Sequence, residues 1–561
     1  MNKYIVNVSR VSLLVTGLIG LAACNATEPK PEPKVTPQRS IVGTHEPFAS
    51  ENVYFLMTDR FVDGDESNNY PEQGGDNPTW MGEMVAENGE DKAYVGYMGG
   101  DFKGIVDNAG YIRDMGFTAL WLTPIVNNPD EAFTGGEPIT FGGAFKDGGK
   151  TGYHGYWGVN FYELDEHLPS EGLDFKAFTS TLENDYGIKT ILDVVLNHGS
   201  PSFTMPEDQP LFGELYDKSG KLVADHSNTH PTELSDDNPL HQMFNRKPDL
   251  LQLSDFNENE PMVLDYFIPA YQQWLDQGVH AIRIDTIKHM PIEFWTRFAE
   301  RIREGREDLF MFAEAFDYNP EFIGRYTQSE NGKISVLDFP LRQALAEVFQ
   351  DPNGDLQKVA DTLYLKEGPY ENPYDLMTFY DNHDMARINT DTRGYINLHN
   401  LLFTLRGIPV IYYGSESGFM TGTAEHAGNR NYFGVEGITA AKQSPIFAEL
   451  TEIAHVRKDN VALQRGVQLN LQFAKHQAAF LRVYEHEGSN QTALVLFNKD
   501  DVDSDTVLED VLSTGSWTEA LSGKTLAIEA GKTHRFKLPA NSVQVWLFNE
   551  ANTNTNLLEQ L

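Results

Sequence analysis

Acidic residues at the predicted ends of neighbouring strands could carry out acid–base catalysis. In the segment AIRIDTIKH, the two-residue side-chain period of a strand places Arg283 and Asp285 on the same face. A guanidinium beside a carboxyl lowers its pKa and keeps it ionised, which suits a nucleophile. The next predicted strand ends in FMFAEAF, which puts Glu314 at the adjacent rim position, and the segment FYDNHD adds His383 and Asp384.

Glu314 is the candidate proton donor of this group. A carboxyl crowded by Asp285 and Asp384 has a raised pKa even with one arginine nearby, so it stays protonated. Any single one of the 82 acidic residues is more simply interpreted as a solvated carboxylate at a strand end. The joint pattern of three carboxyls and one arginine favours a catalytic site.

The composition of the chain limits the classes of partner that such a site can bind. The chain has 561 residues, with 43 Lys and Arg against 82 Asp and Glu, which gives a formal charge of −39. This excess of acid argues against a nucleic-acid partner and favours neutral substrates and bound cations. The single cysteine, Cys24, excludes an internal disulfide framework and any multi-cysteine metal site.

Eight β-branched and aromatic runs alternate with longer amphipathic stretches, which predicts repeated strand–helix units. The predicted strands are residues 53–57, 118–125, 190–197, 280–286, 309–316, 334–339, 376–382 and 409–416. This count predicts an α/β fold with a closed (β/α)8 TIM barrel, whose active site lies at the C-terminal ends of the strands.

The barrel is predicted to occupy residues 47–198 and 261–458. The gap after the third strand is too long for one helix, so residues 199–260 are predicted to form an inserted lobe beside the barrel mouth. Alternating strands over residues 459–550 predict a C-terminal antiparallel β-sandwich domain. The polar tail, residues 551–561, is expected to be frayed.

The N-terminal segment has the features of an export signal. Lys3 and Arg10 precede an apolar run over residues 11–23, about 13 residues where a membrane-spanning helix needs roughly 20. The sequence LAAC, which ends at Cys24, resembles a bacterial lipobox and implies lipidation of the cysteine after removal of residues 1–23. An ordinary signal peptidase site is the alternative.

The proline-rich residues 24–46 are predicted to form a tether between this anchor and the barrel. Asn25 follows the cysteine, and a residue other than Asp at this place points to the outer membrane of a Gram-negative bacterium. We therefore expect an exported lipoprotein that contacts the membrane through Cys24.

Across residues 48–550 the sequence resembles glycoside hydrolase family 13, the α-amylase family. Four main motifs carry the resemblance: DVVLNH, RID with the following KH, AEA, and NHD. Three further segments match auxiliary motifs of the family: LWLTP, LSDFN and GIPVIYYGSE. Many dispersed motifs in the right order are far more specific than any one. The resemblance implies that Asp285 is the nucleophile, Glu314 the general acid/base and Asp384 a stabiliser of the transition state.

The resemblance also implies sugar-binding positions, although an isolated His or Tyr more often packs in a core or lies at a surface. The implied positions are His154, Tyr156, His198, Arg283, Lys288, His289, Phe316 and His383.

Calcium is the implied cofactor, at two places. One loop resembles a calcium loop of cyclodextrin glucanotransferases, with Asp63, Asp65, Asn68, Asn69, the Gly99 carbonyl and Asp101 as ligands. Asn197, Asp255 and the His289 carbonyl match a more general site between the barrel and the inserted lobe. The alternative for the loop is an Asx-rich turn capped by its own side chains, and Asn197 or Asp255 alone could be structural.

The resemblance implies a retaining α-amylase-type enzyme that cleaves α-1,4-glucosidic bonds in starch or maltooligosaccharides. Two alternatives remain. Lys288 and Phe316 match acceptor-side positions of cyclodextrin-forming transferases, although the chain ends without their extra C-terminal domains and has Leu251 where they have a Tyr or Phe. The other alternative is a catalytically silent glucan-binding lipoprotein, against which the three carboxyls argue.

Overall fold

The computed structural model describes residues 39–72, 77, 79–81, 83–85, 92–139, 146–423, 429–529 and 531–561. The predicted signal peptide, Cys24 and the tether up to residue 38 lie outside the described residues. Within the described ranges, no helix combines the length and apolar character needed to cross a membrane.

Eight parallel strands form a barrel, as predicted. In chain order they are Val53–Leu56, Ala119–Leu122, Lys189–Val194, Val279–Ile284, Phe310–Ala313, Ser335–Val336, Met377–Thr378 and Ile408–Tyr412. Each strand pairs with its neighbours in sequence order, and the last also pairs with the first, Val410 lying opposite Val53. A parallel bridge between Leu337 and Met377 links the sixth and seventh strands and closes the barrel.

The strands end earlier than the sequence predicts. The fifth was predicted over residues 309–316 but stops at Ala313, and the seventh, predicted to residue 382, stops at Thr378. The pairing ends because the next residues leave the sheet and turn into the mouth of the barrel. The three candidate catalytic carboxyls, Asp285, Glu314 and Asp384, therefore follow the strands, whereas Arg283 lies within the fourth strand.

Helices cover the outside of the barrel, so the strands are buried on both faces and consist of near-continuous apolar runs. The α-helices in the barrel region are Thr58–Phe61, Phe102–Asp107, Ala109–Asp114, Phe175–Tyr186, Pro261–Leu275, Ile292–Ile302, Pro320–Gly324, Phe339–Phe349, Gln357–Asp361, Thr392–Leu402, Gly434–Ala441, Pro445–Lys458 and Val461–Arg465. Inside the barrel, the rings of Phe55 and Trp121 stack with their centroids 3.8 Å apart.

The inserted lobe begins and ends with one pair of strands. His198–Pro201 pairs antiparallel with Leu253–Asp255, and a hairpin of Glu214–Tyr216 and Leu222–Asp225 lies between them. The lobe also includes part of the loop after the second barrel strand, which the sequence prediction assigned to the barrel. Phe133 and Trp157 of that loop, with Met205 and Phe212 of the insertion, form a separate small core.

The C-terminal domain contains two antiparallel sheets around one core. The strands are Val467–Ala474, Gln477–His486, Ser489–Asn498, Ser504–Glu509, Gly515–Glu519, Thr525–Ile528, Thr533–Leu538 and Ser542–Phe548. Ser504–Glu509 pairs with Thr533–Leu538 as a two-stranded sheet, and the other six form the second sheet. Buried side chains from both sheets share one cluster, as expected for a sandwich.

Two terminal segments differ from the prediction. Residues 41–46, predicted as tether, are packed: Ile41 exchanges both backbone hydrogen bonds with Glu485, at 2.8 and 2.9 Å. The tail is docked and not frayed, because Leu557 of the short helix Thr555–Leu558 is fully buried in the C-terminal core and the Asn552 amide donates to Glu485. Both segments are mostly polar, so their composition gave no sign of the few contacts that anchor them.

Candidate active site

The candidate nucleophile and acid lie side by side at the ends of adjacent parallel strands. Asp285 and Glu314 each follow the last paired residues of their strands, Ile284 and Ala313, which lie opposite each other. The backbone amide of Glu314 donates to the carbonyl of Ile284 at 2.9 Å. Parallel strands lie about 4.8 Å apart, so the fold alone places these two carboxyls next to each other.

Arg283 connects the acidic residues. Its Nη1 contacts Asp285 Oδ1 at 2.7 Å and both oxygens of Asp193, at 2.9 and 3.0 Å. Its Nη2 lies 3.1 Å from Glu314 Oε2, and the side chain is fully buried. Burial alone would lower the pKa of Arg283, but Asp193 and Glu314 outweigh it and raise the pKa. One planar guanidinium therefore hydrogen-bonds to Asp285 and lies within ion-pair distance of Glu314.

Asp193 was not singled out from the sequence, although it opens the motif DVVLNH. It accepts hydrogen bonds from Trp121 Nε1 at 3.1 Å and from the Tyr156 hydroxyl at 2.8 Å, besides those from Arg283. Burial raises the pKa of Asp193 to about 7, and the Arg283 charge opposes the rise. Asp193 is a positioning residue, because it holds Arg283 and Tyr156 in place.

Glu314 has the electrostatic environment of a proton donor. Its pKa is raised to about 8, chiefly by burial, with Arg283 opposing and the charges of Asp384 and Asp285 adding to the rise. The sequence argument gave the crowding by carboxylates but not burial, which is the larger cause. Its Oε1 is buried without a hydrogen-bond partner among the described residues, which leaves it available to a substrate.

Asp384 is held by a second arginine. Arg430 Nη2 contacts Asp384 Oδ1 at 2.6 Å, and Arg430 Nε donates to the His383 carbonyl at 2.9 Å. Asn429 donates to the carbonyl of Met385 at 3.1 Å. The segment Asn429–Arg430 thus positions the seventh-strand loop, and no motif in the sequence marked it.

The cleft around these groups has a volume of about 480 Å³. On one wall the rings of Tyr156 and His383 stack with centroids 5.2 Å apart and planes 4° apart. His154 Nδ1 accepts the backbone N–H of Tyr156 at 3.0 Å, which orients this wall. Burial lowers the pKa of His383 to about 4 and also lowers that of His198, so both imidazoles are neutral near pH 7 and suit a neutral sugar.

The cleft brings together every predicted sugar-binding residue except Arg283, which lies beneath it. In the same cleft, Lys288 Nζ donates to the Phe316 carbonyl at 2.6 Å. His289 also lines the cleft, and its Nδ1 contacts Asp249 Oδ2 at 2.7 Å.

Thr286, directly after the candidate nucleophile, is strained. It has φ +48°, unusual for a β-branched residue, and its buried hydroxyl has no partner within the described chain. Such strain of about 1–3 kcal/mol is typical of functional sites.

The residues of the predicted calcium loop converge. Gly99 has φ +90°, and a Cβ there would lie 2.7 Å from Asn69 Oδ1 and 2.8 Å from Asp63 Oδ2. Asn68 donates to Asp101 Oδ2 at 3.2 Å. Buried oxygens of Asp63, Asn68 and Asn69 lack hydrogen-bond partners in the described part of the chain. Three buried oxygens without donors in one loop fit a hard cation.

Asp65 has a different role in this loop. Its Oδ1 accepts the Ser67 amide at 3.1 Å and the Ser67 hydroxyl at 2.6 Å, so this oxygen caps the short helix Glu66–Asn68. The capped-turn alternative therefore applies to Asp65 Oδ1 and also to Asp101 Oδ1, which accepts the Gly104 amide at 2.6 Å and caps the helix Phe102–Asp107, whereas Asp63, Asn68 and Asn69 retain unpaired oxygens.

The second predicted cation site forms one network. The Phe256 amide donates to the Asn197 carbonyl at 2.8 Å, which brings Asp255 beside Asn197. Asp249 links Asp255 to His289, since its amide donates to Asp255 Oδ2 at 2.8 Å. Burial raises the pKa of Asp255 to about 7, and its Oδ1 has no donor among the described residues.

The donor sets contain few carboxylates and no thiolates. Among the described residues, no group of three or more His, Cys, Asp or Glu is placed to hold a metal ion. Both sites instead combine one or two carboxylates with amide and backbone oxygens, which is the chemistry of calcium and not of zinc.

Comparison with known proteins agrees with this geometry. The sequence model of the family described as "Alpha amylase, catalytic domain" matches residues 55–444. A cyclomaltodextrin glucanotransferase from Bacillus sp. (strain 38-2) is 31% identical over 530 residues, covering 90% of this chain and 68% of the relative.

Two solved structures are also similar. A cyclomaltodextrin glucanotransferase with a three-domain ABC distribution has a TM-score of 0.71 and 29% identity, covering 89% of this chain and 99% of that one. An Anoxybacillus α-amylase has a TM-score of 0.69 and 24% identity, covering 90% of this chain and 99% of that one, and supports the fold alone.

Proposed function

Because this chain belongs to the α-amylase family, glycoside hydrolase family 13, we propose that it hydrolyses α-1,4-glucosidic bonds in starch-like glucans or maltodextrins with retention of configuration. The observation that carries the proposal is the cleft in which Arg283 contacts both Asp285 and Glu314 while Arg430 holds Asp384. A pair of carboxyls of opposite protonation state is what glycoside hydrolysis requires.

In the first step, Asp285 attacks the anomeric carbon while Glu314 protonates the leaving glycosidic oxygen. The contact of Arg283 with Asp285 holds the attacking oxygen beside a positive charge, and the raised pKa of Glu314, about 8, keeps the acid protonated near neutral pH. The glycosidic C–O bond breaks, the leaving oxygen takes the proton, and a covalent glycosyl–Asp285 ester forms. Direct attack needs carboxyls about 5–5.5 Å apart, consistent with adjacent strand ends.

In the second step, Glu314, now a carboxylate, takes a proton from water as the water oxygen attacks the anomeric carbon. The ester bond breaks, Asp285 is released as a carboxylate, and Glu314 is again protonated. Asp384 stabilises the positive charge that develops on the sugar in both steps, and its contact with Arg430 fixes its position.

The remaining cleft residues bind the sugar beside the scissile bond. Tyr156 offers a ring face, and the neutral imidazoles of His198 and His383 supply hydrogen bonds to hydroxyls. His383 Nδ1 is buried without a partner among the described residues, so a sugar hydroxyl would satisfy it.

Calcium is the cofactor we propose. Asp63, Asn69, the Gly99 carbonyl and Asp101 would hold one ion, with Asn68 beside them, and Asn197, Asp255 and the His289 carbonyl a second. A bound ion would supply positive charge to buried oxygens and rigidity to the loop and to the junction with the lobe. The catalytic steps use the carboxyls of this chain.

A cyclodextrin-forming transferase is the second candidate. The similarity of this chain to cyclomaltodextrin glucanotransferases favours it, and so do Lys288 and Phe316, which line the cleft. The argument against it from chain length was wrong, because a three-domain cyclomaltodextrin glucanotransferase matches this chain over 99% of its own length. Leu251 remains the residue that favours hydrolysis, since an aliphatic side chain offers no flat face around which a glucan can curl.

The test is a product analysis from soluble starch. We expect new reducing ends, linear maltooligosaccharides as main products and minor or no cyclodextrins, measured by reducing-sugar assay and chromatography. Dominant early cyclodextrins would favour the transferase. A protein that binds starch but releases no more reducing ends than its Asp285→Asn variant would be the silent glucan-binding lipoprotein.

We also propose that the protein is an outer-membrane lipoprotein of a Gram-negative bacterium, on the basis of the lipobox-like sequence at the only cysteine. Labelling of cells with radioactive palmitate tests this. The wild-type protein should incorporate label and fractionate with the outer membrane, and Cys24→Ser should do neither. Equal behaviour of the two proteins would favour ordinary signal cleavage.

A further inference from the structure

Tyr318 is an exposed aromatic residue beside the catalytic cleft. Its side chain is 39% exposed, and Tyr70, the other strongly exposed aromatic residue in the described part of the chain, lies next to the candidate calcium loop. The Tyr318 hydroxyl makes no hydrogen bond within the described residues, so the fold does not use it.

Two neighbouring rings hold Tyr318 in place. Its ring meets the Phe316 ring at 6.3 Å with an angle of 80°, and the Phe339 ring at 5.8 Å with an angle of 87°. In edge-to-face packing of this kind the rings stay upright against one another. Exposed area and a fixed orientation are combined in one side chain.

The backbone around Tyr318 is also fixed. Asp317 Oδ1 accepts the Asn319 amide at 2.8 Å, and Asn319 caps the helix Pro320–Gly324 by accepting the Glu321 amide at 3.0 Å. Lys288 holds the carbonyl of Phe316 from the neighbouring strand end. A ring on such a support loses little conformational entropy on binding.

The position of Tyr318 indicates what it binds. Glu314, Phe316 and Tyr318 follow one another at two-residue intervals as the chain leaves the fifth strand, and the first two line the cleft. Glu314 protonates the leaving oxygen, so the leaving segment begins at Glu314, and the Phe316 ring, which also lines the cleft, has its centroid 6.3 Å from that of Tyr318. A leaving glucan segment that passes Phe316 reaches Tyr318 next.

We propose that Tyr318 is the platform of an additional glucan subsite, on which a glucose unit of the leaving segment stacks beyond the unit at Phe316. A glucose ring has an apolar face and no charge, which suits an exposed tyrosine that pairs with no charged group among the described residues. The inference rests on the proposed function, because it places the leaving segment by the acid role of Glu314.

The test compares the binding of long and short oligosaccharides to a catalytically inactive variant. In Asp285→Asn, calorimetric titration should show that adding Tyr318→Ala weakens maltoheptaose binding about fivefold and maltotriose binding less than twofold. Tyr318→Phe keeps the ring and should bind maltoheptaose like the parent. Equal weakening of both ligands would indicate a disturbed Phe316 and overturn the proposal, as would no change with maltoheptaose.

Kinetics of the otherwise wild-type protein separate this inference from the proposed function. Tyr318→Ala should raise KM for maltoheptaose about fivefold with little change in kcat, and Val502→Ala, at an exposed site in the C-terminal domain, should change neither. Hydrolysis unaffected by Tyr318→Ala would overturn the subsite and leave the hydrolase intact. Chain-length-dependent binding without any turnover would retain the subsite and refute the hydrolase.

Discussion

The catalytic centre and the loop around Asp63 both bury acidic groups, but they balance the charge differently. In the centre, Arg283 contacts Asp193, Asp285 and Glu314. In the loop, Asp63 and Asp101 form no salt bridge with any residue that the structure describes, and their neighbours are amides and backbone.

The difference indicates which of the two regions can neutralise its buried charge without a bound ion. A buried carboxylate without a counter-charge costs several kcal/mol, so it is either protonated or paired with an ion. The centre carries its own cations and is expected to keep its geometry without added metal. The loop leaves oxygens of Asp63, Asn68 and Asn69 unpaired, and its order is expected to depend on a bound cation.

The largest expected effect on activity comes from replacing a catalytic carboxyl by an amide of nearly the same size, which removes its acid–base or nucleophilic role and keeps the shape of the centre. Asp285→Asn or Glu314→Gln should lower kcat on starch more than about a hundredfold, equivalent to about 2.7 kcal/mol of barrier. Steady-state kinetics and a melting curve of each purified variant provide the measurement.

The matched control is Glu330→Gln, an exposed acid that does not line the cleft. It should retain wild-type kcat. A catalytic variant that stays folded and keeps more than about a tenth of wild-type kcat would remove that residue from the mechanism, since this corresponds to less than about 1.4 kcal/mol.

Removal of calcium should separate the two regions. A ligand bound only to the folded state stabilises it by about 2.7 kcal/mol at a hundredfold excess over its Kd, so excess chelator should lower Tm by several degrees. Calorimetry should show that added calcium restores Tm. In Asp63→Ala the response to chelator should be smaller, because one ligand is already lost.

Identical melting curves with chelator and with calcium, on protein shown to be metal-free, would refute the calcium proposal. The catalytic variants provide the internal control. Asp285→Asn should respond to chelator as the wild type does, because Asp285 is not itself a predicted cation ligand.

The acid of the centre should also be visible in the pH dependence of stability. Glu314 has a folded-state pKa of about 8 against an ordinary value of 4.5. Between these pH values the folded state binds more protons than the unfolded state, so its contribution to stability is complete below pH 4.5 and is lost as pH rises through about 8.

Glu314→Gln removes this ionisation. The Tm difference between the variant and the wild type should therefore shift in favour of the variant from pH 4.5 to pH 8, measured on metal-loaded protein. In the wild type, kcat/KM should fall above about pH 8 as the acid ionises. A constant Tm difference over this range would contradict the raised pKa.

Sequence predicted the parts that depend on local patterns. Strand order followed from apolar runs, and Asp285 and Glu314 from their places at strand ends. Arg430 could not be found this way, because it reaches Asp384 from a loop after the eighth strand. The docking of residues 41–46 and of the tail likewise depends on contacts distant in sequence, such as Ile41 with Glu485.

The smallest expected effect on activity is at Leu251, which lies between the catalytic cleft and a predicted cation site. Leu251 lines the catalytic cleft, is 45% exposed, and stands four residues before Asp255 of the second predicted cation site. Its φ of +49° is costly for any residue with a Cβ, so a tyrosine bears the same backbone strain as the leucine. Leu251→Tyr therefore changes the side chain and little else.

The expected change is a rise in the ratio of cyclodextrins to linear products from starch, because a ring provides the flat face that leucine lacks. Total turnover should change by less than about threefold, and Leu251→Ala should not raise the ratio. Chromatography of early products from the three proteins gives the measurement. An unchanged ratio in Leu251→Tyr, with its response to chelator intact, would mean that the shape of the cleft and not this side chain sets the balance between water and sugar as acceptor.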